Sequence, residues 1–165
     1  MSLSFVIEGE DLFRCCNETT NNLIHVKGEE IVAKRKTSLS EVPSDIRLRP
    51  EDGWVNLDVK WLVDENRLGS KYACFGRTVF APGGKAQHQM HIHPNAEEIL
   101  YVLRGRLEYV IGGDTITVGP EEICYTPSNT PHMCRNLSTT ELCEVVFVYA
   151  GAPSLEKAGY VEVEK

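Results

Sequence analysis

Basic charge is scarce in this 165-residue chain: 17 lysines and arginines stand against 24 acidic residues, a formal net charge of −7. Nucleic-acid binding needs a basic face that displaces phosphate counterions, so that class is excluded. The one basic run, Lys34-Arg35-Lys36, is short and reads as a solvated strand end or loop. Long apolar runs are missing too, and no segment approaches the length of a membrane span. The start, MSLSFVIEGEDLF, has neither the basic residues nor the apolar stretch of a secretion signal, so a cytoplasmic protein is expected. None of the six cysteines (Cys15, Cys16, Cys74, Cys124, Cys134, Cys143) belongs to a CxxC pair, which argues against a zinc knuckle. Most are expected to be free, small buried side chains, with a redox-active Cys15-Cys16 pair as the minor alternative. P-loop, dinucleotide fingerprint and GxSxG elbow are absent, which leaves a serine nucleophile without support. Helix signals are nearly absent as well: only SLEKAG qualifies, with Ser154 as cap and Gly159 as stop.

What the chain does have is strands. From Trp54 onward, WVNLDVKWLV, YACFGRTVFAPGG, EEILYVLRG, RLEYVIGG, EEICYTP and LCEVVFVYAG follow one another at the spacing of a sandwich or barrel. Gly112-Gly113 between β-branched runs predicts a hairpin with a two-residue turn. Residues 1–53 are less regular. LIHVKGEEIVAKRK reads as two short strands around Gly28, and SEVPSDIRLRPEDGW as loop. The expected organisation is an N-terminal arm over 1–53 packing on the barrel or on a partner subunit, a barrel over 54–150, and a tail over 151–165.

The chain has five histidines, and three fall within HQMHIHPNAEE, residues 88–98. Pro94 disfavours a helix there, so His91 and His93 share one face of a strand, about 6.6 Å apart. Imidazoles so placed can converge on one metal ion, with a carboxylate from the next strand as a third ligand. Two histidines and a carboxylate form the open-sided set of non-haem iron sites. A lone HxH is more often a solvated loop, and Glu97 and Glu98 have equal claims at this point.

The wider pattern decides. Residues 82–105, PGGKAQHQMHIHPNAEEILYVLRG, resemble the first motif of the cupin superfamily: glycine, HxH, glutamate, then six residues to a glycine. Only Glu98 leaves six residues before Gly105. Residues 121–136, EEICYTPSNTPHMCRN, resemble the second motif through Pro127, His132 and Asn136. Glu121 and Asn129 replace two motif glycines, and one extra residue separates Gly84 from His91. The resemblance implies an all-β, double-stranded β-helix (jelly-roll) barrel with a divalent metal on His91, His93, Glu98 and His132. Fe2+ is favoured, with Mn2+, Ni2+, Zn2+ and Cu2+ also suited to these ligands.

It further implies a metal-dependent enzyme acting on a small organic molecule, with dioxygenase-like oxidation preferred. Decarboxylation, isomerisation and polyketide cyclisation on the same site are the alternatives, and a non-catalytic binding or sensing module is the reading from another class. Converging ligands favour an enzyme; a cavity closed by packing favours binding or structure. Metal binding is expected to weaken below about pH 6, as histidine protonates. A homodimer is expected, with no nucleic-acid or membrane partner. His88, three residues before His91, belongs on the rim or outer surface unless a bulge reverses its parity. Cys134 shares the face of His132 and is expected to be a small buried side chain, with a thiol beside the metal site as the alternative. Glu97, Arg104 and Arg106 should face solvent, Tyr101 and Tyr109 should pack, and His25 has no partner in sequence.

Overall fold

The structure is a computed structural model; it describes residues 35–163, with the backbone of a short hairpin at His25–Val26 (β1) and Glu29–Glu30 (β2). Cys15, Cys16, Lys34 and the His25 side chain lie outside the described residues. The chain divides into two compact units, Met1–Val32 and Ala33–Lys165. The hairpin belongs to the first, with His25 opposite Glu30 and Val26 opposite Glu29; Gly28 lies outside the described residues.

The second unit is built from antiparallel strands. They are β3 (Leu57–Val63), β4 (Ala73–Phe80), β5 (Ala86–Gln87), β6 (His91–Ile92), β7 (Glu97–Arg104), β8 (Leu107–Ile111), β9 (Asp114–Val118), β10 (Ile123–Thr126), β11 (His132–Asn136), β12 (Cys143–Ala150) and β13 (Val161–Glu162). One sheet runs β10-β7-β12-β4-β3; the other runs β13-β6-β11-β8-β9, with β5 also on β11. A short α-helix, α1 (Leu155–Ala158), starts where Ser154 Oγ accepts from Lys157 N–H, and its Gly159 N–H closes on Leu155 O. The jelly-roll expectation and both helix boundaries hold.

Alternation explains the core. In β12 every second residue is buried, so Cys143, Val145, Phe147 and Tyr149 face the opposite sheet. They join two clusters, one around Phe80, Leu100, Leu107 and Tyr109, the other around Trp54, Val59, Trp61 and Phe147. Tyr109 packs as expected, and its hydroxyl is hydrogen-bonded to Thr126 Oγ1. Cys74, Cys124, Cys134 and Cys143 are free and buried. Residues 35–53 lie along the barrel: Val42 is buried, Asp45 N–H donates to Val59 O, and Trp61 Nε1–H donates to Asp45 Oδ2 at 2.8 Å.

The motif departures have a backbone explanation. Glu121 and Asn129, where the resemblance expects glycine, keep the left-handed conformation at φ 68° and 60°. Gly105 has φ 76°, and a Cβ there would lie 2.3 Å from the Leu142 carbonyl oxygen. Gly112-Gly113 makes the predicted turn between β8 and β9, with Ile111 opposite Asp114. Buried Asn136 ties the following loop to the end of β4: its Nδ2 donates to the Phe80, Ala81 and Glu141 carbonyls, and its Oδ1 accepts from Ser138 N–H. Among the described residues no helix is long and apolar enough to cross a membrane.

Candidate metal centre

Strand register brings the site together. His132 on β11 lies directly opposite His91 on β6, so their rings stand side by side, centroids 4.3 Å apart. His93 follows two residues after His91 on the same face. Glu98 comes from the opposing sheet, where it pairs with Thr126 on one side and Tyr149 on the other. All four side chains are buried, and their ligand atoms lie within 4.8 Å of one another. Glu97 points outward and accepts a hydrogen bond from Tyr125 at 2.8 Å. Arg104 is exposed, in an ion pair with Glu144.

The protons show what this cluster is suited to hold. A carbonyl oxygen only accepts, so the ring nitrogen facing it carries hydrogen. His91 Nδ1 faces Gln89 O at 2.9 Å, His132 Nδ1 faces Thr130 O at 2.9 Å, and His93 Nδ1 faces Gly159 O. Neutral rings fixed this way present the His91 and His93 Nε2 lone pairs to the centre, and His132 does the same once its Nε2 proton leaves. His91 Nε2 and His93 Nε2 are 3.1 Å apart with no proton to share. Burial, with the neighbouring imidazoles, holds His91 well below the usual histidine range, and burial also lowers His93, against Glu98. Protonation therefore does not relieve that contact near neutral pH.

His132 and Glu98 behave as a pair, Nε2 to Oε2 3.0 Å. Burial opposes charge on both, but their mutual attraction and hydrogen bond outweigh it: His132 is raised and Glu98 lowered. The three rings thus differ, with His91 and His93 neutral to lower pH than His132. Electron-pair donors about 2.1 Å from one ion at right angles are about 3.0 Å apart. The His91–His93 and His132–Glu98 edges match that value. The donor set fits a divalent cation; nothing in it selects which one.

Three features depart from the sequence reading or escape it. His88 is not on the rim: it is buried and lines the cavity, its ring 4.9 Å from that of His91. The stretch between β5 and β6 is irregular, and this breaks the two-residue parity that would have turned His88 outward. Gln89 escaped notice; its carbonyl accepts from both His88 and His91. Tyr160 was missed as well. It stacks on His91 at 4.3 Å, from almost seventy residues away, and no local pattern could reveal it. Cys134 packs in the core cluster that also holds Tyr109 and Cys124, it does not line the cavity, and burial pushes its thiol well up.

The cavity beside the cluster is walled by Trp54, Trp61, Phe80, Phe147 and Tyr149 with His88, His91 and Glu98. Its volume is about 20 Å³, room for about one water. Ligands converge, as an enzyme requires, but the space next to them is narrow.

Residues 76–149 match the family described as the cupin domain. Polyketide synthase CurC of Streptomyces cyaneus is 28% identical over 107 residues, which cover 65% of this chain and 68% of that protein. The polyketide cyclase RemF of Streptomyces resistomycificus superposes with a TM-score of 0.64 at 21% identity, covering 79% of this chain and 86% of RemF. The oxalate decarboxylase of Lactobacillus farciminis gives 0.62 at 14% identity, covering 82% of this chain and 37% of that enzyme. At such identities the structural likeness carries the fold alone. Motifs, topology and family match agree: residues 76–149 of this chain are a cupin domain.

Proposed function

We propose that the protein is a metal-dependent enzyme of the polyketide-cyclase type, holding a divalent cation on His91, His93, Glu98 and His132. The observation that carries the metal is the proton-free contact between the His91 and His93 ring nitrogens at 3.1 Å. The relatedness to CurC, with the fold shared with RemF, favours cyclisation over the dioxygenase chemistry suggested by ligand type. The proposed substrate is a linear molecule with several carbonyls and acidic C–H groups between them. In an aldol-type closure one C–H bond breaks and a C–C bond forms to a second carbonyl of the same molecule, whose oxygen takes the proton; that hydroxyl then leaves with a second hydrogen of the same carbon as water, and a C=C bond remains. No oxidant is consumed. A divalent cation supplies Lewis-acid polarisation of a carbonyl.

The chain's own residues supply the surroundings. Trp54, Trp61 and Phe147 offer flat apolar faces to a chain folding into a ring. Buried His88, held down to about 4 chiefly by burial, stays neutral and serves as wall rather than base. A substrate reaches the cluster only when the aromatic side chains or the C-terminal segment over His91 give way, because the cavity holds about one water. Tag-free protein should retain a divalent metal by elemental analysis and convert a linear poly-β-ketone to a product one water lighter without oxygen uptake. Oxygen uptake with a diketone would restore the dioxygenase reading. Retention of none of iron, manganese, nickel, copper or zinc after reconstitution would overturn both. The narrow cavity favours one second reading, a non-catalytic metal-binding module, which metal retention without turnover would support.

We also propose a homodimer through the outer face of the five-stranded sheet. An antiparallel sheet with one solvated face carries polar residues there. Here cross-strand rows Tyr125–Ile99–Val148–Phe75 and Ile123–Tyr101–Val146 are apolar, and Ile123 is 64% exposed. The charges beside them, Arg77, Arg104 and Glu144, already pair with one another. A neutral apolar patch on an acidic chain suits a second copy of itself. Light scattering at micromolar concentration should give a dimer, and Ile123→Glu a monomer; a monomeric wild type would refute this.

A further inference from the structure

We propose that the C-terminal strap, Gly159–Val163, is part of the metal centre, orienting two of its four side chains from outside the family-matched region. The inference rests on the metal reading above. β13 pairs with β6, setting Val161 opposite Ile92 and Glu162 opposite His91, and Val163 N–H donates to Met90 O at 3.0 Å. One end of the strap is fastened by Asn95, whose N–H donates to Ala158 O and whose Nδ2 donates to Lys157 O. Between these anchors two contacts reach the cluster. The Gly159 carbonyl accepts from His93 Nδ1, and the Tyr160 ring lies on His91 at 4.3 Å and 23°. Tyr160 is itself backed by Trp54, at 5.5 Å.

Each contact does a separate job. The Gly159 carbonyl keeps the His93 proton on Nδ1, so that Nε2 faces the centre as a lone pair. Such partners fix tautomer and ring orientation, and losing one costs about 10–100-fold in metal affinity. The stacked Tyr160 ring blocks rotation of His91 about its side-chain bonds. Its hydroxyl and the Gln89 amide are buried without a well-formed hydrogen bond, so the ring carries the effect. Gly159 can hold its carbonyl there because it has φ 77°, and a Cβ would sit 2.7 Å from Pro94 Cγ.

The test uses the full chain and Co2+, with affinity and visible absorption as readouts and melting in EDTA as the control for folding. Gly159→Ala should displace the carbonyl and Tyr160→Ala should free His91. Both should weaken Co2+ binding about 10–100-fold and change its spectrum. Tyr160→Phe keeps the ring and should bind within about threefold of wild type. Wild-type affinity and spectrum in both alanine variants would overturn the strap while leaving the metal site standing. Loss in Tyr160→Phe as large as in Tyr160→Ala would overturn the stacking role. A wild type that binds no Co2+ would remove the metal reading itself, and the strap proposal with it.

Discussion

Replacing His91 by phenylalanine should barely change the metal-free protein, yet should remove most of the stability that metal adds. His91 is 2% exposed and stacked on Tyr160, so a ring of similar size keeps the packing. The lost Nδ1–H bond is worth about 1 kcal/mol, and its acceptor Gln89 O retains the His88 ring N–H at 3.2 Å. Against that loss, the repulsive nitrogen pair at 3.1 Å disappears. In EDTA the variant should lie within about 1 kcal/mol of wild type. Metal at about 100 times its dissociation constant stabilises wild type by about 2.7 kcal/mol. For a chain of this size that is roughly 5–11 °C in Tm. His91→Phe, one donor short, should gain less than half of it. Paired melts with EDTA, Zn2+, Mn2+, Ni2+, Cu2+ and anaerobic Fe2+ measure both numbers. Equal gains in the two proteins would refute His91 as a ligand. A variant several kcal/mol weaker in EDTA would refute the claim that the ring's nitrogens do little for the metal-free fold.

Gly105→Ala should destabilise by more than about 2 kcal/mol in denaturant titration, because a left-handed backbone and a backbone clash act together. An effect under about 0.5 kcal/mol would show that the β7–β8 turn relaxes freely. Asp45 should make stability acid-sensitive. Burial pushes its carboxyl up, but hydrogen bonds from Arg47 and Trp61 outweigh that and hold it below 3.8. A lowered folded value stabilises fully above the ordinary carboxylate range, and the contribution fades as pH falls through the folded value. Asp45→Asn should therefore be less stable than wild type at pH 6, with the gap closing below about pH 4. A gap that stays constant down to pH 3 would count against this account.

Much of this was legible because strand chemistry is periodic. Alternation in LCEVVFVYAG gives both faces of β12, and the HxH spacing puts His91 and His93 together without any tertiary knowledge. His132 and Glu98 were legible only through the two-motif resemblance, since they reach the site through the register of β11 and of β7. Register is a long-range property, and a one-residue slip reverses every side chain. His88 shows the limit. Its parity argument assumed a continuous strand, but regular pairing stops at Gln87 and resumes at His91.

Both strap contacts were illegible for a deeper reason. The sequence reading used Gly159 correctly as a helix stop, and that local role hid a second one: the same residue lends its carbonyl to His93. A backbone carbonyl has no residue type, so no motif can encode it; only the path of the chain brings it to the ring. The ligand set therefore sits in the cupin motifs while part of its orientation sits outside them, in residues 159–163. Chains sharing the four ligands but differing in the tail should then differ in metal affinity. Grafting a tail that lacks Tyr160 and Gly159 onto this barrel should weaken Co2+ binding about 10–100-fold. Unchanged binding in the graft would mean that the barrel alone orients its imidazoles.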